Sequence, residues 1–197
     1  MTQKARVFVA TPLDDDSQKS LQKVIKLLAR KHWPVRWEPV EKLHLTIAFI
    51  GWLDKSKISI INQATRKAVE SFQPFTVEYK GLGAFPDFVT PRVIWLGLKG
   101  DLYHLSNLYK NIRLALETVG FKLESRPFTP HITLGRVEKG VRRKFLQTIG
   151  SGIGKLHQLS ISTPWRVDRV VVYESQLTRQ GSIYYPLQEI ILSSSGK

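Results

Sequence analysis

Two short stretches of this chain are built to one plan. His44-Leu45-Thr46-Ile47 and His131-Ile132-Thr133-Leu134 each set a histidine and a threonine two positions apart, with aliphatic residues at the alternate places. Period-two alternation marks a half-buried strand, so in each segment the aliphatic pair faces a core while the His and Thr share the opposite face. Five histidines and twelve threonines among 197 residues give a chance expectation of roughly 0.3 His-x-Thr matches. Two matches in the same aliphatic setting therefore point to a repeated structural unit, and the fold must leave one face of both strands open.

The surroundings of the two segments support a duplication. Arg6 to Ala10 reads as a strand, and Leu21, Val24, Ile25 and Leu28 then recur at helical spacing. The acidic start Asp14 to Asp16 suits a helix N-terminus, where carboxylates meet the dipole and the orphan N–H groups, better than a cation site. Trp33 to Val40, with two prolines, reads as a loop, and the first His-x-Thr strand follows it. A helix is expected over Asp54 to Phe72, then strands at Phe75 to Lys80 and Arg92 to Leu98. Leu102, Leu105, Tyr109, Ile112, Leu116 and Val119 trace a helix that Gly120 is placed to end. After Pro127 and Pro130 comes the second His-x-Thr strand, His131 to Val137, and a basic helix to about Thr148. Strands are expected at Leu156–Ser162, Asp168–Tyr173 and Tyr184–Ile190. The class is α+β and rich in antiparallel pairing. Two lobes related by a pseudo-twofold axis would put one His-x-Thr strand from each beside a shared groove.

Composition narrows the chemistry. The chain carries no cysteine, which removes disulfides, thiolate zinc sites and a cysteine nucleophile. With 42% hydrophobic residues and no linker-like tract, residues 1–197 are expected to form a single domain. No apolar run approaches the ~20 residues that span a bilayer, and the start resembles no secretion signal, so a cytoplasmic protein with no membrane partner is expected. The net charge of +14 favours a polyanionic partner, nucleic acid first, although a lysine-rich surface serving solubility would look the same.

Cleavage of a phosphodiester needs a base for the nucleophile, an acid for the leaving oxygen, and donors for the non-bridging oxygens. Two histidines and two threonines supply that set, because imidazole titrates near neutrality and one ring can be protonated while the other is neutral. Zinc is the rival reading for paired histidines. Neither motif holds a second His or carboxylate at a short ligand spacing, and threonine suits an oxyanion better than a metal. His104 falls on the most regular helix, and with His32 and His157 it is read as structural.

Four stretches, Arg6-Val-Phe-Val-Ala, His44-Leu-Thr-Ile-Ala-Phe-Ile-Gly, Pro91-Arg-Val-Ile-Trp-Leu-Gly and Arg126-Pro-Phe-Thr-Pro-His-Ile-Thr-Leu-Gly-Arg, resemble the 2H phosphoesterase superfamily. Within it they resemble the bacterial and archaeal RNA 2′,3′-cyclic phosphodiesterases, also called 2′-5′ RNA ligases. The resemblance implies a bilobal fold of two pseudo-twofold-related antiparallel-rich sheets with outer helices around a central groove. It implies metal-independent hydrolysis of an RNA terminal 2′,3′-cyclic phosphate to a 2′-phosphate, with no cofactor and no metal. By motif position His44 would be the proton donor to the departing 3′ oxygen and His131 the proton acceptor that activates water, with Thr46 and Thr133 holding the phosphate.

Arg136, five residues after His131, matches a family position near the phosphate, but strict alternation turns it away from His131, so the assignment requires a bend at Gly135. Phe49, five after His44, resembles a groove residue able to stack on a base, against ordinary core packing. Arg126 and the run Arg142-Arg143-Lys144 would track an RNA backbone or simply coat a solvated surface. The expected partner is RNA ending in a 2′,3′-cyclic phosphate, tRNA halves among the possibilities, bound by a monomer. The competing readings are a ligase joining tRNA halves, a trimming or oligoadenylate-degrading phosphodiesterase, and a non-catalytic nucleotide- or RNA-binding module.

Overall fold

Backbone pairing decides where the amphipathic segments end up. The computed structural model describes residues 3–125, 127–178 and 181–193. Its elements, in chain order, are β1 (Lys4–Pro12), α1 (Asp15–Ala29), β2 (Val35–Trp37), β3 (His44–Asp54), α2 (Ile58–Val69), β4 (Phe75–Phe85), β5 (Val93–Gly100), α3 (Leu102–Thr118), β6 (His131–Val137), α4 (Arg143–Gly154), β7 (Ser160–Val167), β8 (Arg169–Thr178) and β9 (Gly181–Ile191). The strands form one antiparallel sheet in the order β7-β4-β5-β6-β3-β1-β8-β9, with β2 added on β6.

The sheet is two four-stranded halves joined at its middle. Among the described residues β3 and β6 share a single register pair, Leu45 with Ile132. The halves are thus tied at the centre of the two His-x-Thr segments. An antiparallel register through that pair sets His44 against Thr133 and Thr46 against His131, so the four polar side chains flank one point.

The helices interlock the halves. α1 leaves β1 but packs against β7 of the other half, where Ser20 Oγ and Thr163 Oγ1 lie 2.7 Å apart. α3 leaves β5 and packs against β3 and α2, burying Leu105, Leu108, Ile112 and Leu116 at the spacing its sequence shows. Asp14 caps α1 by accepting the Ser17 N–H at 2.8 Å, the structural role expected of the acidic triplet. Asp101 caps α3 and also holds His104 Nδ1 at 2.7 Å, which places His104 in helix capping.

Several element boundaries differ from expectation: β3 runs to Asp54, so the helix expected from there starts at Ile58, and β4 and β8 run on to Phe85 and Thr178. The Trp33–Val40 loop contains β2, because Val35–Trp37 finds partners on the free edge of β6. α4 continues past Thr148 to Gly154, since Gly150 and Gly152 serve close approach and do not stop the helix: added Cβ atoms would collide with the Phe88 carbonyl and the Trp33 ring. The strand expected from Leu156 begins at Ser160, because Leu156 and Leu159 are held in turns, with their carbonyls accepting from Leu82 and Gly81. β7 then carries Trp165 into the core, stacked on Tyr79 with ring centroids 6.2 Å apart. No helix among the described residues is long and apolar enough to cross a membrane.

Candidate active site

β3 and β6 carry the same irregularity. Ala48 pairs with Val9 and Thr46 with Ala10, leaving Ile47 as an extra residue; Gly135 pairs with Ile94 and Thr133 with Trp95, leaving Leu134 as an extra residue. Each strand therefore bulges at the third position after its histidine, and a one-residue bulge reverses the parity of the residues beyond it. The fifth residue after each histidine comes round to the histidine's face: Phe49 on β3, Arg136 on β6. The bend that Arg136 required is present, one residue earlier than Gly135, and it has a counterpart in the other strand.

As a result His44, Thr46, Phe49, His131, Thr133 and Arg136 all line one cavity of about 770 Å³ at the junction of the halves. Phe49 leans on Phe8, with centroids 5.7 Å apart, yet stays 50% exposed, so it is a wall residue of the groove and not a core side chain. The hydroxyls of Thr46 and Thr133 make no side-chain hydrogen bond among the described residues.

The two imidazoles are held alike. His44 Nδ1 lies 2.7 Å from the Lys42 carbonyl and His131 Nδ1 lies 2.6 Å from the Thr129 carbonyl, in each case two residues back. A carbonyl can only accept, so Nδ1 carries hydrogen in both rings and Nε2 is left to exchange a proton with a ligand. Aromatic edges fix the ring planes: Tyr184 stands at 90° to His44 at 5.3 Å, and Phe85 at 82° to His131 at 4.9 Å. Burial is the main influence on both, pushing them below the ordinary 6.5; the carbonyl bonds oppose it, and the Arg136 charge adds to the depression. At His44 the charge of His131 pulls in the same direction.

Arg136 also meets a carboxylate, Glu38 Oε1, at 3.4 Å across a half-exposed surface. Glu38, Lys42 and Tyr184 are groove residues that sequence reasoning did not single out. Lys42 Nζ donates to the Ser182 carbonyl at 3.0 Å, tying the approach to β3 onto β9. Tyr184 lies in a stretch without distinguishing sequence features, and only the β8–β9 pairing, with Ser175 opposite Tyr184, brings it to His44. Arg142, Arg143 and Lys144 are exposed at the start of α4, away from the groove. Arg126 lies outside the described residues. Among the described residues no three His, Asp or Glu side chains gather as a metal site would need.

A family model described as the 2′-5′ RNA ligase superfamily matches residues 10–179. The chain belongs to the 2′-5′ RNA ligase superfamily. Relatives within it include the RNA 2′,3′-cyclic phosphodiesterase of Thermotoga maritima, 33% identical over 93% of this chain and 94% of that protein. The protein of the same name from Methanothermobacter thermautotrophicus is 30% identical over 94% and 97%. The superfamily fold is matched by the TT0787 protein of Thermus thermophilus, with TM-score 0.81 at 22% identity over 97% of this chain and all of that one. Escherichia coli LigT complexed with 3′-AMP is also similar, with TM-score 0.73 at 23% identity over 97% and 99%.

Proposed function

We propose that the protein hydrolyses the 2′,3′-cyclic phosphate at an RNA end to a 2′-phosphate, using its own side chains without a metal. The observation that carries this reading is the pair of identically tethered histidines, each with Nε2 free, facing one cavity with two threonine hydroxyls and an arginine. The names of its relatives agree in substrate.

His131 Nε2, neutral, takes a proton from water as the new P–O bond forms. The P–O3′ bond breaks, and His44 Nε2, protonated, gives its proton to O3′, leaving a 2′-phosphate and a free 3′-hydroxyl. Thr46 and Thr133 donate to the non-bridging oxygens while Arg136 clamps them from the side. Phe49 offers a face on which the terminal base stacks. In ligation a 5′-hydroxyl would take water's place as nucleophile, giving its proton to His131 while His44 protonates the departing O3′. A 2′-5′ linkage would thus form through the same groups in the same roles, and cleavage of that linkage back to the cyclic phosphate would exchange them. The reading carries with it a cytoplasmic monomer whose lobes, interlocked by α1 and α3, act as one unit.

The test is to incubate EDTA-treated protein with an oligoribonucleotide ending in a 2′,3′-cyclic phosphate and to resolve 2′- from 3′-phosphate products. A 2′-phosphate product is expected. A requirement for added metal would overturn the two-histidine mechanism, and bound but unreacted RNA would favour a binding module.

The pH dependence follows from the depressed imidazoles. In the free protein both rings titrate below 6.5, and catalysis needs one protonated and one neutral. The kcat/KM profile is therefore expected to be bell-shaped, with its maximum below pH 6.5 and a decline as pH rises through neutrality. Bound phosphate, an anion beside His44, favours its charged form, so the basic limb of kcat should lie at higher pH than that of kcat/KM. A kcat/KM that climbs steadily through pH 8 would exclude the pair as acid and base.

A further inference from the structure

Beside the groove lies a smaller pocket of about 220 Å³ that shares His44, Phe49, Arg136, Glu38 and Tyr184 with it and continues past them to Arg6, Arg36 and Ser175. Three guanidinium groups face one carboxylate here, a net excess of positive charge in a small space. Arg136 is paired with Glu38, but neither Arg6 nor Arg36 has an ion pair or side-chain hydrogen bond among the described residues. Ser175 is 3% exposed, and its Oγ is buried without a partner among them. Buried hydroxyls ordinarily find partners, so an arginine-lined pocket with an unsatisfied hydroxyl at its wall is a site awaiting an acceptor.

The register fixes how this pocket relates to the chemistry. Arg36 on β2 sits directly opposite Arg136 on β6, so their side chains leave the same face of the sheet. Opposed residues stand about 4.5–5.5 Å apart at Cα. Two guanidinium groups so placed match two phosphates joined through one ribose. We propose that the smaller pocket binds the phosphate on the 5′ side of the nucleotide whose cyclic phosphate occupies the groove. Arg136 bridges the two sites, Arg6 and Arg36 hold the second anion, and Ser175 donates to it. The proposal rests on the phosphodiesterase reading above and specifies its substrate: an end nucleotide that bears a 5′ phosphate, either as a monoester or as the link to the preceding residue.

The test compares adenosine 2′,3′-cyclic phosphate, the same compound with a 5′-monophosphate, and the dinucleotide ApA ending in a 2′,3′-cyclic phosphate. The wild-type protein is expected to show a KM about tenfold lower for the second and third than for the first, the size of one or two charge-assisted hydrogen bonds. An Arg6→Gln/Arg36→Gln variant should bring these ratios close to one, and Ser175→Ala should reduce them in part. Lys23→Gln/Lys26→Gln, which removes the same charge from the exposed face of α1, should leave them unchanged. A gain for the monoester alone assigns the pocket to a chain terminus, and a gain for both assigns it to the strand's internal linkage. Equal KM values for all three in the wild type, or ratios that survive the double arginine change, would overturn the subsite while leaving the phosphodiesterase reading in place. Failure to open any of the three would overturn that reading itself.

Discussion

Replacing either histidine by alanine is expected to lower kcat on a 2′,3′-cyclic phosphate by about 10²- to 10⁴-fold, the range for loss of one positioned acid or base. KM should change far less. The groups that grip the phosphate, Thr46, Thr133 and Arg136, stand on the same two strands but do not depend on the imidazoles for their place. The polypeptide should unfold as cooperatively as before, because the aliphatic sides of both strands, with Leu45, Ile47, Ile132 and Leu134 at most 3% exposed, hold them in the core. The double variant is not expected to multiply the two losses. Proton removal and proton delivery belong to one exchange at phosphorus, so once either is missing the other has little left to assist. A stopped assay on His44→Ala, His131→Ala and the pair, with thermal unfolding in parallel, checks all of this. Wild-type turnover in either single variant would end the mechanism.

Much of the site could be read from the residues because it lies within two alternating segments. Periodicity placed His44 and Thr46, and His131 and Thr133, on common faces, and the cavity holds them so. Periodicity fails at Arg136 and Phe49, since the bulges at Ile47 and Leu134 are properties of pairing with β1 and β5, and no single strand announces them. Gly135 hints at one: a Cβ there would lie 2.8 Å from the Trp37 ring and from Val35 Cγ1, so the residue admits β2 as well. Tyr184, Arg6 and Arg36 come from β9, β1 and β2, far apart in the chain, and only sheet order gathers them. The same holds for the crossing of α1 and α3: their buried stripes show that something covers them, and tertiary packing alone decides which half of the sheet does so.

Gly150→Ala is expected to be the most destabilising single-methyl change on α4, although alanine in a helix interior ordinarily stabilises relative to glycine by roughly 0.5–1 kcal/mol. The added Cβ would fall on the carbonyl of Phe88, and backbone, unlike a side-chain tip, cannot swing aside. Relief requires moving α4 off β4 or shifting the loop between β4 and β5, at a cost on the order of 3 kcal/mol. For a chain of this size that lowers Tm by about 6–12 °C. Gly154, at the end of the same helix, has nothing within 4 Å of its Cβ position, so Gly154→Ala should leave Tm unchanged or slightly raised. The contrast separates close packing from helix propensity, because propensity alone predicts a gain at both positions. The effect should reach the groove as well: the displaced loop begins at Phe85, whose ring edge holds His131, so Gly150→Ala should lower kcat in the fraction that stays folded. Equal Tm values for the two alanine variants would mean that α4 is not pressed against Phe88.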